Sequence, residues 1–162
     1  MVPYTAIQDG RVPRRNGWGL MASRLAPSIS PDTEFFWSGL KDQQLRIQRC
    51  TDCKTLRVPP RPMCGTCQSL GWDYVVSSGR GTVYSFVMPQ YPPLPFLQYP
   101  YVVALIELDE GVRIVSNLCE IEPAAIEVGM PVEVFYETFE ALPSGDELVL
   151  HQFRPVGDLK AQ

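Results

Sequence analysis

Cys50-Thr51-Asp52-Cys53, followed after ten residues by Cys64-Gly65-Thr66-Cys67, is the stretch on which the reading of this chain turns. Four thiolates in a C-x2-C-x10-C-x2-C array match the needs of one tetrahedral metal ion. Each C-x-x-C turn aims two sulfurs at one point, and the spacer is long enough to go out and return as a hairpin. Zinc is the expected occupant, and iron would use the same four ligands. Gly65 is expected to supply a positive φ in the second knuckle. A four-cysteine site has no open coordination position, so it serves folding rather than hydrolysis.

The flanks of this array read as a ribbon. Leu45 and Ile47 alternate with Gln44, Arg46 and Gln48, which predicts a strand running into the first knuckle. The spacer contains Pro59, Pro60 and Pro62, which excludes a helix and stiffens the hairpin tip. Arg49, Lys54, Arg57 and Arg61 cluster on or beside the ribbon. They either balance a dianionic metal–thiolate centre or meet an anion, such as the phosphates of coenzyme A, or an acidic partner surface. Upstream, Ser30-Pro31-Asp32-Thr33-Glu34 is a helix-start signal, with Asp or Ser as cap and proline in the first turn. A short helix follows through Phe35, Phe36, Trp37 and Leu40. Its three consecutive aromatics cannot all face one core, so either two pack on the ribbon or they serve a partner.

Beyond the ribbon, five strands are predicted at 82–88, 101–108, 112–118, 132–138 and 148–153. Asp109-Glu110-Gly111 makes a tight hairpin and Pro143-Ser144-Gly145-Asp146 a looser one. Residues 123–129 allow one helical turn, with Gly129 as its stop. Five strands with a short helix between the third and fourth are the layout of an OB-type barrel. The expected architecture is therefore mainly β: a short N-terminal helix (31–43), a four-cysteine zinc ribbon (44–74) and a five-stranded OB-type barrel (75–157), with a tail at 158–162. Between the first two barrel strands, residues 88–100 hold five prolines with Tyr91, Leu94, Phe96, Leu97 and Tyr99. This stiff apolar connection is a candidate partner surface.

Charge and composition narrow the function. The 162 residues are 45% hydrophobic, enough for a true core, and no apolar run is long enough to span a membrane. One metal site and a single remaining thiol, Cys119, fit a reducing cytoplasm better than a disulfide scaffold. From residue 81 onward twelve acids face three bases, which argues against binding of a phosphate backbone by the barrel. The lone histidine, His151, has no nucleophile or acid pattern beside it, and Cys119 reads as a small buried hydrophobe. No phosphate-loop, nucleophile-elbow or metalloprotease motif is present. Residues 1–30 show no sustained periodicity and are expected to be mobile. Met21-Ala22-Ser23 reads as a natural start, with 1–20 as a leader.

From Phe36 onward the chain resembles the DUF35 family. The resemblance lies in Phe36-Trp37, Leu45-x-Ile47-Gln48-Arg49-Cys50-x-x-Cys53, Pro60, Cys64-x-x-Cys67, Ser78-Gly79-Arg80-Gly81-Thr82-Val83-Tyr84-Ser85, Pro100 to Ala104, Glu107 to Gly111, Gly129 to Val132 and Phe153-x-Pro155. It implies zinc on Cys50, Cys53, Cys64 and Cys67, and a small accessory subunit for a thiolase-fold enzyme acting on acyl-CoA substrates. It further implies steroid side-chain degradation, where such a module supports an aldolase and links it to a MaoC-like hydratase. The barrel and the proline-rich loop would meet the partner. A stand-alone acyl-CoA or lipid binder is the alternative, and a nucleic-acid module a more distant one.

Overall fold

The computed structural model describes residues 23–91 and 101–157. Leu94, Phe96, Leu97 and Tyr99, the leader proposed for 1–20 and the tail at 158–162 lie outside these residues. In chain order the elements are β1 (Ser23–Leu25), α1 (Glu34–Lys41), β2 (Arg46–Cys50), β3 (Leu56–Arg57), β4 (Trp72–Val76), β5 (Arg80–Val87), β6 (Val102–Leu108), β7 (Arg113–Leu118), a 3-10 turn (Pro123–Ala125), β8 (Pro131–Leu142) and β9 (Asp146–Pro155).

Helix α1 starts one turn later than the cap signal suggests. Thr33 holds the cap position, but its hydroxyl turns back onto Ser30, whose amide donates to Thr33 Oγ1 at 3.0 Å. Pro31 and Asp32 therefore form the preceding turn. The helix stops as Gln43 enters left-handed backbone with φ 54°, and Gln44 N donates to Gly39 O at 2.8 Å.

Strands β3-β2-β4 form the ribbon sheet, and the larger sheet has the order β1-β8-β5-β6-β7-β9 with β8 also paired to β9. That extra pairing closes β5, β6, β7, β9 and β8 into the five-stranded barrel expected of an OB fold. Its seam includes one parallel contact, Leu118 opposite Phe153. Alternation decides the inside: Val102, Ala104, Ile106 and Leu108 on β6 are all buried. At the other seam Gly81 lies so close to β6 that a Cβ there would sit 2.3 Å from Glu107 O.

Three expectations are corrected. Residues 23–25, read as part of a mobile segment, form β1 and run parallel to Glu140–Leu142 at the far end of β8. The guanidinium of Arg24 lies 4.5 Å from the Phe139 ring centre, which gives this end of the sheet a cover. The last two strands are longer than predicted, because their pairing continues past the barrel from Val132–Pro155 to Ala141–Asp146. Gly129 does not stop the helical turn, which ends at Ala125; with φ 89° it instead donates to Val83 O at 2.7 Å, tying the connection to the barrel.

Ribbon and barrel share one core. Leu40, Leu45 and Ile47 belong to the same buried cluster as Val83, Ile106, Val132 and Phe153. The apolar burial that holds the barrel therefore also fixes the ribbon's position.

Candidate metal centre

The two knuckles are built alike, which follows from their common C-x-x-C-x pattern. Cys50 N donates to Thr55 O at 3.0 Å and Cys64 N to Ser69 O at 2.9 Å, and the return bonds run from Lys54 N to Cys50 O and Gln68 N to Cys64 O. Positive φ falls on Lys54 and Gln68. Gly65, expected to take that role, is not among the left-handed residues, and a Cβ on it would meet nothing within 4 Å.

The turns bring the four Sγ atoms within 4.8 Å of one another. The Cys50–Cys67 and Cys53–Cys64 sulfurs are each 3.5 Å apart. A tetrahedron with metal–sulfur bonds of ~2.3 Å has edges of ~3.8 Å, so one ion fits all four ligands. Thr55 Oγ1 lies 3.1 Å from Cys53 Sγ. That hydroxyl and the Thr55 amide pull the Cys53 thiol down to about 6. Cys67 accepts a bond from Ser69, yet the crowding thiols of Cys53 and Cys50 push it up to about 12. A divalent cation removes that repulsion. All four positions are taken by cysteines, so the ion they would hold serves the fold.

The ribbon bases divide. Arg49 is committed to Asp73, its cross-strand partner, through Nε at 2.8 Å and Nη2 at 2.6 Å. This pair, which also holds the Asp73 carboxyl below its ordinary range, occupies the bidentate face that an anion would use, so Arg49 is a poor anion contact. Lys54 donates to Thr51 O within the first knuckle. Arg61 is exposed. Arg57 is 8% exposed, and none of its guanidinium nitrogens has a hydrogen-bond partner among the described residues.

The three helix aromatics each pack against the chain on one side and stay partly exposed. Phe35 lies 4.8 Å from the Trp72 ring and 5.9 Å from Tyr74, against the ribbon. Phe36 and Trp37 pack on the common core, and Phe36 meets His151 edge-on at 5.6 Å. Phe36 and Trp37 thus join helix, ribbon and barrel while each stays partly exposed. Tyr91 is 85% exposed, with exposed Val87 and Met88 close before it.

Neither of the two other reactive side chains is set up as a base or nucleophile. Burial pushes His151 down to about 4 despite the nearby Val115 carbonyl. Burial likewise pushes the Cys119 thiol up to about 12, and its Sγ donates to Gln152 Oε1 at 2.7 Å. Sequence reasoning missed Thr55 and Ser69, the knuckle partners at Cys+2, although the repeated spacing pointed to them. It also missed Arg113, which the β6–β7 hairpin carries to the ribbon.

Two family models match this chain: the ChsH2 rubredoxin-like zinc ribbon domain over residues 37–73 and the ChsH2 C-terminal OB-fold domain over residues 74–137. A DUF35 domain-containing scaffold protein of Methanocaldococcus jannaschii is 32% identical over 126 residues, covering 74% of this chain and 88% of its own length. The chain belongs to the DUF35 family. Among solved structures, the Ltp2-ChsH2(DUF35) aldolase matches this DUF35 chain at TM-score 0.72 and 47% identity, over 82% of this chain and 100% of that one. The 3-oxo-4,17-pregnadiene-20-carboxyl-CoA hydratase alpha subunit of Mycobacterium tuberculosis is 49% identical over 71% of this chain. The chain spans only about two fifths of the length of the hydratase subunits it matches. Benzoylsuccinyl-CoA thiolase subunit BbsA of Thauera aromatica is 28% identical over 80% of this chain and 94% of its own length. Among the described residues no helix is long and apolar enough to cross a membrane.

Proposed function

We propose that this DUF35 protein is a non-catalytic accessory subunit, stapled by one zinc, that docks on a thiolase-fold enzyme acting on acyl-CoA substrates. The observation that carries this reading is the match at TM-score 0.72 to the whole DUF35 chain of an Ltp2-ChsH2(DUF35) aldolase. The thiolase-subunit name of BbsA and the steroid-CoA name of the mycobacterial hydratase subunit support the same substrate class. Steroid side-chain degradation is the setting we favour, with a MaoC-like hydratase as a second partner.

The chemistry of the chain agrees with an accessory role. The metal ligand set is closed, His151 is held neutral in an aromatic pocket, and Cys119 is a protonated hydrogen-bond donor. Docking would use exposed apolar side chains at the start of the proline-rich connection, where Val87, Met88 and Tyr91 stand free. Leu94, Phe96, Leu97 and Tyr99 would continue that surface. Such docking would order the partner's substrate entrance and keep water from it. Measuring the turnover of the thiolase-fold enzyme encoded by the same host, with and without this chain, tests the role. Turnover should rise at least tenfold with the chain present; unchanged turnover and an unchanged elution volume would contradict the proposal.

A further inference from the structure

Arg57 is the one charged side chain that is buried among the described residues. A guanidinium stays charged at every accessible pH and brings five N–H donors. Buried without compensation it is strongly unfavourable. Yet Nε, Nη1 and Nη2 of Arg57 are all closed to solvent, with no hydrogen-bond partner among the described residues, the cysteine sulfurs included. Whatever offsets this charge therefore acts through space.

The register of the ribbon sheet names the source. Arg57 on β3 stands directly opposite Gln48 on β2 in an antiparallel pair, so both side chains leave the same face. Cys50 follows Gln48 by two residues on β2 and shares that face. Arg57 and Cys50 are thus diagonal neighbours across the sheet, a backbone spacing of roughly 7–8 Å that lies within the reach of a long side chain. Thr55, two residues before Arg57, already touches the centre, with Oγ1 3.1 Å from Cys53 Sγ. Four thiolates around a divalent ion are dianionic, the largest local charge. The centre is unevenly solvated. Cys53 and Cys67 are exposed, and water screens that side. Cys50 and Cys64 are fully buried, so the protein itself has to balance the charge there. The neighbouring bases do not. Arg49 is paired with Asp73 and Arg113 with Glu107, while Lys54 and Arg61 are exposed.

We propose that Arg57 is the charge-compensating residue of the metal centre, its buried cation offsetting the metal–tetrathiolate unit on the side that water does not reach. It acts through its field rather than through a hydrogen bond. Each charge is costly when buried alone, and the two are tolerated together, so Arg57 raises the affinity of the site for its ion and favours the more negative of two metal oxidation states. The inference concerns the metal centre alone and stands whether or not the chain docks on an enzyme.

The test uses the full-length chain and two readouts. Cobalt(II) is titrated in by its absorption and displaced with zinc to give the zinc affinity, and the reduction potential of the iron-loaded chain is measured by voltammetry. Arg57→Met removes the charge at similar volume and should weaken zinc binding by about 10–100-fold, the scale of outer-shell changes at metal sites. It should also lower the potential of the iron form, because the ferrous site is more negative than the ferric one and loses more when the cation goes. Arg57→Lys keeps the charge and should recover most of both effects. A packing role alone predicts the reverse order, since an apolar side chain suits a buried position without acceptors better than an ammonium does. Zinc binding by Arg57→Met as tight as that of the unchanged chain, or an affinity loss with an unmoved potential, would overturn the proposal. Arg61→Met, an exposed change, should leave both readouts as they are, and an equal loss there would overturn it as well. Should Arg57→Met fail to fold, Arg57→Gln takes its place in the same comparison.

Discussion

Lys54 and Gln68 adopt the same left-handed backbone conformation, φ 64° and 60°, each one residue past the second cysteine of its knuckle. Neither is a glycine, so each carries the Cβ strain of that region, on the order of 1 kcal/mol. The strain persists because the bonds from Lys54 N to Cys50 O and from Gln68 N to Cys64 O are needed to bring four sulfurs together. Gln68→Gly should therefore leave stability unchanged or raise it by about 0.5–1 kcal/mol, while Gln68→Val should lower it by more than 1 kcal/mol. Denaturant titrations of the two variants measure the difference.

Removing the metal should be felt beyond the ribbon. Leu45 and Ile47 lead into the first knuckle and also sit in the common core. Cys64→Ser, or treatment with a strong chelator, should lower the melting temperature of the whole domain and change the fluorescence of Trp72, the partner of Cys50 across β2 and β4. Binding energies of roughly 10–16 kcal/mol in zinc-finger peptides set the scale. A chelated protein with an unaltered melting curve would rule out the staple.

The barrel seam gives a glycine contrast. Gly81→Ala would force a Cβ to 2.3 Å from the Glu107 carbonyl oxygen, and both groups are backbone-bound. A loss of several kcal/mol, or failure to fold, is expected. Gly65→Ala meets nothing within 4 Å and lies outside the left-handed positions, so it should change stability by less than 0.5 kcal/mol, an order-of-magnitude bound for surface sites. Soluble yield and chemical denaturation of the pair give the comparison.

His151 makes stability depend on pH. Burial depresses its folded pKa to about 4 from an ordinary value of 6.5. Between those values the unfolded chain binds a proton that the folded chain refuses, so stability rises with pH through the window. The contribution is fully present above 6.5 and is lost as pH falls toward 4, with a ceiling of ~3 kcal/mol. His151→Phe, which keeps the aromatic packing on Phe36 and Phe153, should flatten this part of the curve. Thiolate protonation acts on both proteins, so the difference between their melting temperatures at pH 7 and pH 5 isolates the histidine.

The metal ligands, the ribbon, the helix and the barrel were legible in the sequence for physical reasons. Paired C-x-x-C turns have few other uses, and alternation along Val102–Leu108 leaves one face to bury. What was hidden depends on distant pairing. Ser23–Leu25 carries little periodicity in three residues and becomes a strand only because β8 and β9 extend past the barrel to meet it. Gly65 looked like the left-handed residue of the knuckle, but the hydrogen bonds place that conformation three positions after the glycine and after its counterpart Thr51, on Gln68 and Lys54. Charge counting grouped Arg49 with Arg57. The fold separates them, giving one an aspartate and leaving the other buried without an acceptor among the described residues.

The central claim is that this chain works as the subunit of an acyl-CoA enzyme complex. Native mass spectrometry of the chain co-expressed with the thiolase-fold enzyme of its own host tests it most directly. The account predicts a complex containing this chain with one zinc per copy, dissociated by Tyr91→Asp combined with Leu94→Asp and Phe96→Asp while the freed subunit keeps its metal and its melting temperature. A zinc-loaded chain that stays alone beside an equally solitary enzyme would contradict it.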